Sequence, residues 1–218
     1  RARNISGPII TIAPLSELWD IDDRPGNIPG PAAIEEAKSH VNYKNVLLEG
    51  NTVTLKDPKA GIDLGAIAKG FIADKLKDYL TSREIEHALI NLGGNIVAVG
   101  DKMNGEDFHI GIQKPFDEQN SAITSVDIKD KSVVSSGVYE RYFKKDGKVY
   151  HHILNPFTGY PYDNHLLQVT IISDHSVDGD GLSTTCFALG LNKGGALIED
   201  LDGIKAIFVT DDYNLHYA

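Results

Sequence analysis

Apolar and polar residues follow one another in short runs along most of the chain, a pattern typical of strands with one buried face. The strand-like runs are "NVLLEGNTVTLK", which turns at a Gly-Asn pair, then "HALINLGGNIVAVG", "FHIGIQKPF", "AITSVDI", "SVVSSGVYERYF" and "LLQVTIIS". Hairpins are also predicted around Asp146-Gly147 and in the closing "KAIFVTDDYNLHYA". The pattern therefore predicts an antiparallel, strand-rich protein.

Helical periodicity is clearest from Leu64 onwards, where apolar residues recur at the spacing of an amphipathic helix, at positions 64, 67, 68, 71, 72, 76, 79 and 80. "AAIEEAKSHV" and "GGALIEDL" also have helical character, whereas the Pro- and Gly-rich residues 22–33 predict an irregular loop. We therefore expect a mixed α/β (α+β) fold of largely antiparallel sheets with a few packed helices. At 218 residues, a single domain over 1–218 is expected.

The net charge of −10 argues against a nucleic acid or an anionic membrane as the main partner, because either would be repelled. Cys186 is the one cysteine, so an internal disulfide and a multi-cysteine metal site are excluded. No apolar run reaches the ~18 residues of a membrane span. Since the chain opens without an initiator Met, we expect a processed, trimmed or partial product.

The first candidate for chemistry is "GIDLGAIAKGFIADKL", residues 61–76. Asp63 precedes the predicted helix, where a carboxylate can cap free N–H groups. Gly65 and Gly70 leave room for another backbone or a ligand, and Lys69 suits a phosphate or a ring carbonyl. A capped amphipathic helix with a solvent-facing lysine explains the same residues, and the glycine spacing does not match a dinucleotide-binding G-x-G-x-x-G.

Two other segments carry weaker signals. Gly93 and Gly94 interrupt an apolar strand, which indicates a bulge, a tight crossing or a ligand against the backbone. His151 and His152 are adjacent in a strand and point to opposite faces, so only one of them is expected to enter a given cleft. Their spacing is not that of a zinc site.

The last candidate is "DGDGLSTTCFALG", residues 178–190. An EF-hand alignment on Gly181 puts Phe187 at the position that needs Glu, so a calcium loop is excluded. Asp180 with Ser183 and Thr184, three and four residues later, would share one face at a helix start and form half of a Mg²⁺ site. The alternative is that Asp180 is the N-cap of its own helix.

In order and in approximate spacing, six motifs resemble those of the ApbE family of FAD:protein FMN transferases. The motifs are "PLSELWDID", "DLGAIAKGFIADKL", "ALINLGGNIVAVG", "SSGVYERYF", "HHILNPFTGYP" and "DGLSTTCFALG". The resemblance implies a T-fold-related architecture and Mg²⁺-dependent transfer of FMN from FAD to a Thr or Ser hydroxyl of an acceptor protein, with release of AMP.

Matched residue by residue, the resemblance also implies site residues. FAD-contacting positions correspond to Asp63, Lys69 and Leu154, with Gly93 and Gly94 as further flavin-binding candidates. Metal positions correspond to Ala66, through its carbonyl, and to Asp180 and Thr184, with Ser183 beside them. His152 matches the histidine of its motif, and His152 or Asp180 is the candidate general base.

The sequence departs from the family pattern at Asn95, Val138 and Asn155, where the family commonly has Asp. Family members also carry roughly a third more chain at the N-terminus, so the domain is expected to be N-terminally incomplete. They are commonly exported, lipoprotein-anchored bacterial proteins, which implies an extracytoplasmic location at a membrane.

Three other functions remain open from the sequence. An FAD pyrophosphatase would use the same site with water as the acceptor. A non-catalytic flavin-binding module would keep the site but lack the activity. A metal-dependent hydrolase without flavin would account for Asp180 and Thr184 but not for the other five motifs.

Overall fold

The computed structural model describes residues 10–117 and 121–218. The helices are α1 (Ala13–Trp19), α2 (Pro31–Ser39), α3 (Ala68–Ser82) and α4 (Ser176–Glu199). The strands are β1 (Val46–Glu49), β2 (Thr52–Leu55), β3 (Ala88–Leu92), β4 (Asn95–Val99), β5 (Phe108–Gln113), β6 (Ala122–Ile128), β7 (Ser132–Gly137), β8 (Tyr142–Lys145), β9 (Lys148–His151), β10 (Leu166–Ser173), β11 (Lys205–Thr210) and β12 (Leu215–Tyr217). Every strand pair among them is antiparallel, so the expected mixed α/β class with antiparallel sheets is confirmed.

The chain divides into two compact units. The first comprises Arg1–Leu64 and Val138–Asp163, and the second comprises Gly65–Gly137 and Asn164–Ala218. The expectation of one domain over 1–218 stays a prediction.

The first unit is built around Trp19, which is fully buried at the end of α1. Its indole Nε1 donates a hydrogen bond to the carbonyl of Gly159, 2.7 Å away, and its ring stacks on Tyr150. Gly159 has a positive φ of 77°, and a Cβ there would lie 2.3 Å from Ile34 Cγ2, so this turn accepts only glycine. The other buried apolar members of this core are Leu15, Ile21, Ile34, Phe143 and Leu154.

The second unit is a layered structure around a six-stranded sheet of order β12-β11-β10-β7-β4-β3. The helices α3 and α4 pack on one face, α3 on β3 and β4, and α4 on β7 and β10. Ala73, Ile90, Val97 and Val99 form the core under α3. A second core unites the sheet with the β5–β6 hairpin through Ala98, Ile110, Ile112, Ile128, Val133 and Ile207.

Several predicted elements are confirmed, and others need correction. The hairpins β1–β2, β8–β9 and β11–β12, the helix α2 and the strand β10 lie where the pattern predicted them. The run "ALINLGGNIVAVG" is not one strand but the hairpin β3–β4, and "SVVSSGVYERYF" divides into β7 and β8. The loop predicted over 22–33 ends earlier, because α2 begins at Pro31, a residue that favours the first turn of a helix.

The helix predicted from Leu64 begins at Ala68, and its buried face is not the predicted one. Phe71 and Tyr79 are 56% and 55% exposed, and Ile72 and Leu76 are also exposed. The buried positions are Gly70 and Ala73. Small residues form the contact because α3 approaches its neighbours too closely for larger side chains, and a hydrophobicity pattern does not reveal such a face.

The helix α4 contains one break. Gly190 has φ 77° and ψ 172°, which is outside the helical region, so the two helical segments expected before and after it form one bent element. None of the helices in residues 10–117 and 121–218 combines the length and the apolarity that a membrane span requires.

We expect Trp19→Phe to lower the free energy of unfolding by about 1–3 kcal/mol, because it leaves the buried Gly159 carbonyl without its donor. Urea denaturation followed by circular dichroism measures the change. The matched control is Phe157→Leu, since Phe157 is 64% exposed in the same unit, and it should alter stability by about 0.5 kcal/mol or less. Equal losses in the two variants would contradict the role of Trp19.

Candidate functional site

Asp180 lies in the second turn of α4 and is only 4% exposed. Its Oδ2 accepts a hydrogen bond from the backbone N–H of Gly70 in α3 at 2.9 Å. Burial raises the pKa of this carboxyl, while the hydrogen bond from Gly70 and the positive charge of Lys69 act in the opposite direction. A buried carboxylate of this kind is stabilised by any cation that binds to its other oxygen.

Three hydroxyl groups lie together one turn after Asp180, two of them on α4 and one on β7. Ser136 Oγ, at the end of β7, is 2.8 Å from Ser183 Oγ and 3.0 Å from Thr184 Oγ1. Ser183 Oγ also donates to the carbonyl of Asp180 at 3.0 Å. Because a hydroxyl has one donor and two lone pairs, the cluster retains acceptor capacity for a ligand.

Ala66, in the turn before α3, and Lys69, in the first turn of α3, belong to the same segment of the second unit. Ile67, next to Ala66, has its Cγ2 3.6 Å from the Cβ position at Gly181, which follows Asp180. Lys69 is half-buried and near enough to lower the pKa of the Asp180 carboxyl. The structure thus brings three predicted metal positions, Asp180, Ser183 and Thr184, and the predicted FAD-contacting cation Lys69 together near the start of α4, and Ala66 is adjacent to Ile67, which approaches Gly181.

The donors present fit a hard cation. In the residues that the structure describes, no group of three or more His, Cys, Asp and Glu side chains could hold a metal ion. Mg²⁺ needs few protein ligands, because it keeps waters and recruits phosphate oxygens. The buried Asp180 carboxylate and the hydroxyls of Ser183 and Thr184, one turn later, are donors of the kind that such a cation accepts.

Neither Asp63 nor Asp180 occupies a helix N-cap position. The N-cap residue of α3 is Ile67, whose own side chain makes no capping hydrogen bond, and the N–H of Asp63 donates to the carbonyl of Ile10 at 2.8 Å. The N-cap of α4 is His175, whereas Asp180 would have to occupy that position in order to cap its own helix. The Asp180 carboxylate instead binds an N–H group in the first turn of another helix.

His151 and His152 point to different environments, as their alternation predicts. His151 is buried, its Nε2 donates to the Tyr162 carbonyl at 2.9 Å, and its Nδ1 accepts from the N–H of Ile153. Burial lowers the pKa of His151 to about 4, so it is a neutral structural residue. His152 is half-buried, with Nδ1 3.3 Å from the Arg141 carbonyl.

Leu154 and Asp63 belong to the first unit together with His152. The Leu154 side chain is 7% exposed and packs in the core around Trp19. Any contact of Leu154 with a nucleotide would therefore involve its backbone. The flavin contacts of Leu154 and Asp63, and the catalytic role of His152, stay predictions.

Gly93 and Gly94 form the two-residue turn of the β3–β4 hairpin, between Leu92 and Asn95, which face each other. Their φ angles of 61° and 89° match the turn that a right-handed twisted hairpin requires. This geometry explains both glycines without a ligand, and their predicted flavin contact stays a prediction.

Two of the three departures from the family pattern have defined hydrogen bonds. Asn155 Oδ1 accepts from the N–H groups of Phe157 and Thr158. The Asn155 amide therefore makes the turn-forming hydrogen bonds that an Asp carboxylate could also make. Asn95 Oδ1 accepts from Ser176 Oγ at 2.7 Å, while Asn95 Nδ2 is buried without a hydrogen-bond partner. Val138 is a buried apolar residue.

Comparison with known proteins identifies the family. The model of the ApbE family matches residues 9–208. The chain belongs to the ApbE family. An FAD:protein FMN transferase of Klebsiella pneumoniae is 44% identical over 208 residues, which are 94% of this chain and 64% of that protein. Another FAD:protein FMN transferase, from Treponema pallidum, is 37% identical over 90% of this chain and 58% of that protein.

Solved structures of the ApbE family have the same fold. The ApbE protein of Thermotoga maritima superimposes with a TM-score of 0.86 at 32% identity, over 96% of this chain and 69% of the other. The apo flavinyl transferase ApbE of Pseudomonas stutzeri gives 0.80 at 30% identity, over 96% and 65%. The chain thus spans less than two thirds of the length of the curated relatives described above.

Sequence reasoning missed two residues that the structure places at the site. Ser136 links the hydroxyls of Ser183 and Thr184, and Asp74 binds the first N–H groups of α4. The only signal for Ser136 was its position in the "SSGVYERYF" motif. No local pattern could identify Asp74, because its partners lie about a hundred residues away.

We expect the stability of the protein to fall as the pH decreases from about 6.5 to about 4, because of His151. In this range the unfolded imidazole binds a proton and the folded one does not, so protons favour unfolding. Across this range the free energy of unfolding should fall by about 3 kcal/mol. His151→Gln should remove this part of the pH dependence.

Urea denaturation at a series of pH values measures this dependence. The control is Ile153→Val, a neighbouring buried position, which should lower stability by about 1 kcal/mol equally at every pH. An unchanged pH dependence in His151→Gln would contradict the assignment.

Proposed function

We propose that the protein transfers FMN from FAD to a Thr or Ser hydroxyl of an acceptor protein and releases AMP, with Mg²⁺ bound at Asp180. The observation that carries the proposal is the arrangement at the start of α4, where a buried carboxylate lies beside three linked hydroxyls and the cation Lys69. Membership of the ApbE family and the names of the relatives support the same reaction.

In this reaction the acceptor hydroxyl oxygen forms a bond to the phosphorus on the FMN side of the pyrophosphate. The bond from that phosphorus to the bridging oxygen breaks, and AMP leaves with the bridging oxygen. The hydroxyl proton passes to a general base, for which His152 and Asp180 are the candidates. Lys69 lies near Asp180, where its charge can neutralise the phosphate oxygens as the leaving group develops.

Asp180, Thr184 and the carbonyl of Ala66 would hold the Mg²⁺, with Ser183 beside them. When bound, Mg²⁺ would neutralise charge on the pyrophosphate and so make the phosphorus easier to attack. The protein has a net charge of −10, so an anionic dinucleotide requires such local positive charge in order to bind.

The acceptor protein and the location complete the proposal. We infer a protein acceptor from the names of the relatives, which are FAD:protein FMN transferases. An extracytoplasmic location at a bacterial membrane, through a lipoprotein anchor, follows from the family resemblance and is part of this proposal.

The test is to incubate the protein with FAD, Mg²⁺ and a candidate acceptor protein, and to follow AMP release and the mass of the acceptor. AMP together with an FMN-sized gain in mass supports transfer. AMP with an unmodified acceptor would instead support an FAD pyrophosphatase. FAD binding without AMP would leave a non-catalytic flavin-binding module.

We expect Asp180→Asn to reduce Mg²⁺-dependent AMP release by about 100-fold or more, because the amide cannot neutralise a cation. The substitution keeps an oxygen that accepts from Gly70, so the fold should persist, as circular dichroism can verify. The matched control is Asp178→Asn, two residues away and exposed in the first turn of α4, with an expected change of about twofold or less. Full activity of Asp180→Asn would exclude the metal assignment.

For the general base, we expect His152→Gln to lower the rate of AMP release by about 100-fold with the acceptor present. A wild-type rate of AMP release in His152→Gln would transfer the role to Asp180.

A further inference from the structure

The helices α3 and α4 cap each other through two carboxylates. Gly70 N–H, in the first turn of α3, donates to Asp180 Oδ2 of α4 at 2.9 Å. In return, the first two N–H groups of α4, from Ser176 and Val177, donate to Asp74 Oδ1 and Oδ2 of α3 at 2.7 and 3.0 Å. The spacing is the same in both helices. In α3, Asp74 lies four residues after Gly70, and in α4, Asp180 lies four residues after Ser176.

The backbones meet at the same point. A Cβ at Gly70 would lie 2.4 Å from the carbonyl oxygen of Ser176 and 2.6 Å from the Cα of Val177. These contacts involve backbone atoms, which cannot move aside as a flexible side chain can. The crossing therefore leaves no room for a side chain at position 70, and the Asp74 carboxylate binds the start of α4 at this contact.

The N-terminus of α4 has no other carboxylate or hydroxyl cap among the described residues. His175 is the N-cap and makes no side-chain hydrogen bond to the helix. The four free N–H groups of a helix start attract negative charge, so a carboxylate that binds two of them holds that start firmly. Asp74 is thus the group that ties the first turn of α4 to α3.

We propose that Asp74 is a positioning residue for the site: it fixes the start of α4 so that the Asp180 carboxylate, one turn later, is held toward the cation. This inference rests on the proposed function, since it concerns the metal position at Asp180. Asp74 itself touches no substrate in this scheme. It acts through α4, and Asp180 is held in turn by the N–H of Gly70.

The experiment compares Asp74→Asn with Asp78→Asn. The amide introduced by Asp74→Asn would present one acceptor and one donor to two N–H groups, so one of the two hydrogen bonds is lost. Asp78 is on the same helix, its side chain is 69% exposed and it pairs with Lys75, so its substitution is a matched control for the change in charge. Asp74→Ser, whose hydroxyl can rotate to accept one N–H, is a second variant if Asp74→Asn does not fold.

Two readouts separate positioning from plain stability, both taken well below the unfolding temperature. The first is the Kd for Mn²⁺ without nucleotide, which should rise about 10-fold or more in Asp74→Asn and stay unchanged in Asp78→Asn. The second is hydrogen exchange of the Gly70 amide, which should lose more protection than the amide of Val97, a buried residue of β4.

Wild-type Mn²⁺ affinity in Asp74→Asn, with Gly70 and Val97 losing protection by the same factor, would overturn the positioning role and leave the metal site standing. If the wild-type protein does not bind Mn²⁺, the metal assignment of the proposed function is wrong. The positioning role of Asp74, which is defined by that cation, is then overturned with it.

Discussion

The mutual capping of α3 and α4 is the interaction on which the arrangement of the second unit depends. Each helix start has N–H groups without partners in its own helix, and each receives a carboxylate from the other. The exchange requires the two backbones to touch, which only Gly70 allows at the crossing. Through this contact, the segment containing Lys69 and Ala66 is held beside Asp180, although about 110 residues of chain separate them.

The same contact explains why Asp180 can be both buried and ionisable. Removing a carboxylate from water raises its pKa, and the backbone N–H groups of Gly70 and Lys69 together with the charge of Lys69 offset only part of that effect. Such a group gains when a divalent cation completes its charge balance. The hydroxyls of Ser136, Ser183 and Thr184 give the surroundings polar oxygens without adding further negative charge. A site of this composition handles phosphate oxygens better than a cluster of carboxylates, which would repel them.

The first unit shows how a turn sequence becomes a core contact. "NPFTGYP" is typical of a loop, but the carbonyl of Gly159 accepts from Trp19 and its backbone lies against Ile34. Asn155 organises the start of the same turn through two N–H groups. The paired histidines then divide their roles by alternation along the strand, with His151 buried and neutral and His152 half-buried.

Local sequence patterns predicted the antiparallel class, most strands and the hairpin turns, because these depend on alternation and turn residues that are close together in the chain. They also carried the resemblance to the family, which depends on short motifs. They failed where packing between distant segments decides the outcome. The predicted apolar face of α3 is exposed at Phe71 and Tyr79, while Gly70 and Ala73 form the contact. Asp180 caps another helix, and Asp74 was not foreseen at all. Only the tertiary structure could decide these, since a carboxylate binds whichever N–H groups the fold brings to it, and the sequence near the carboxylate does not contain its partners.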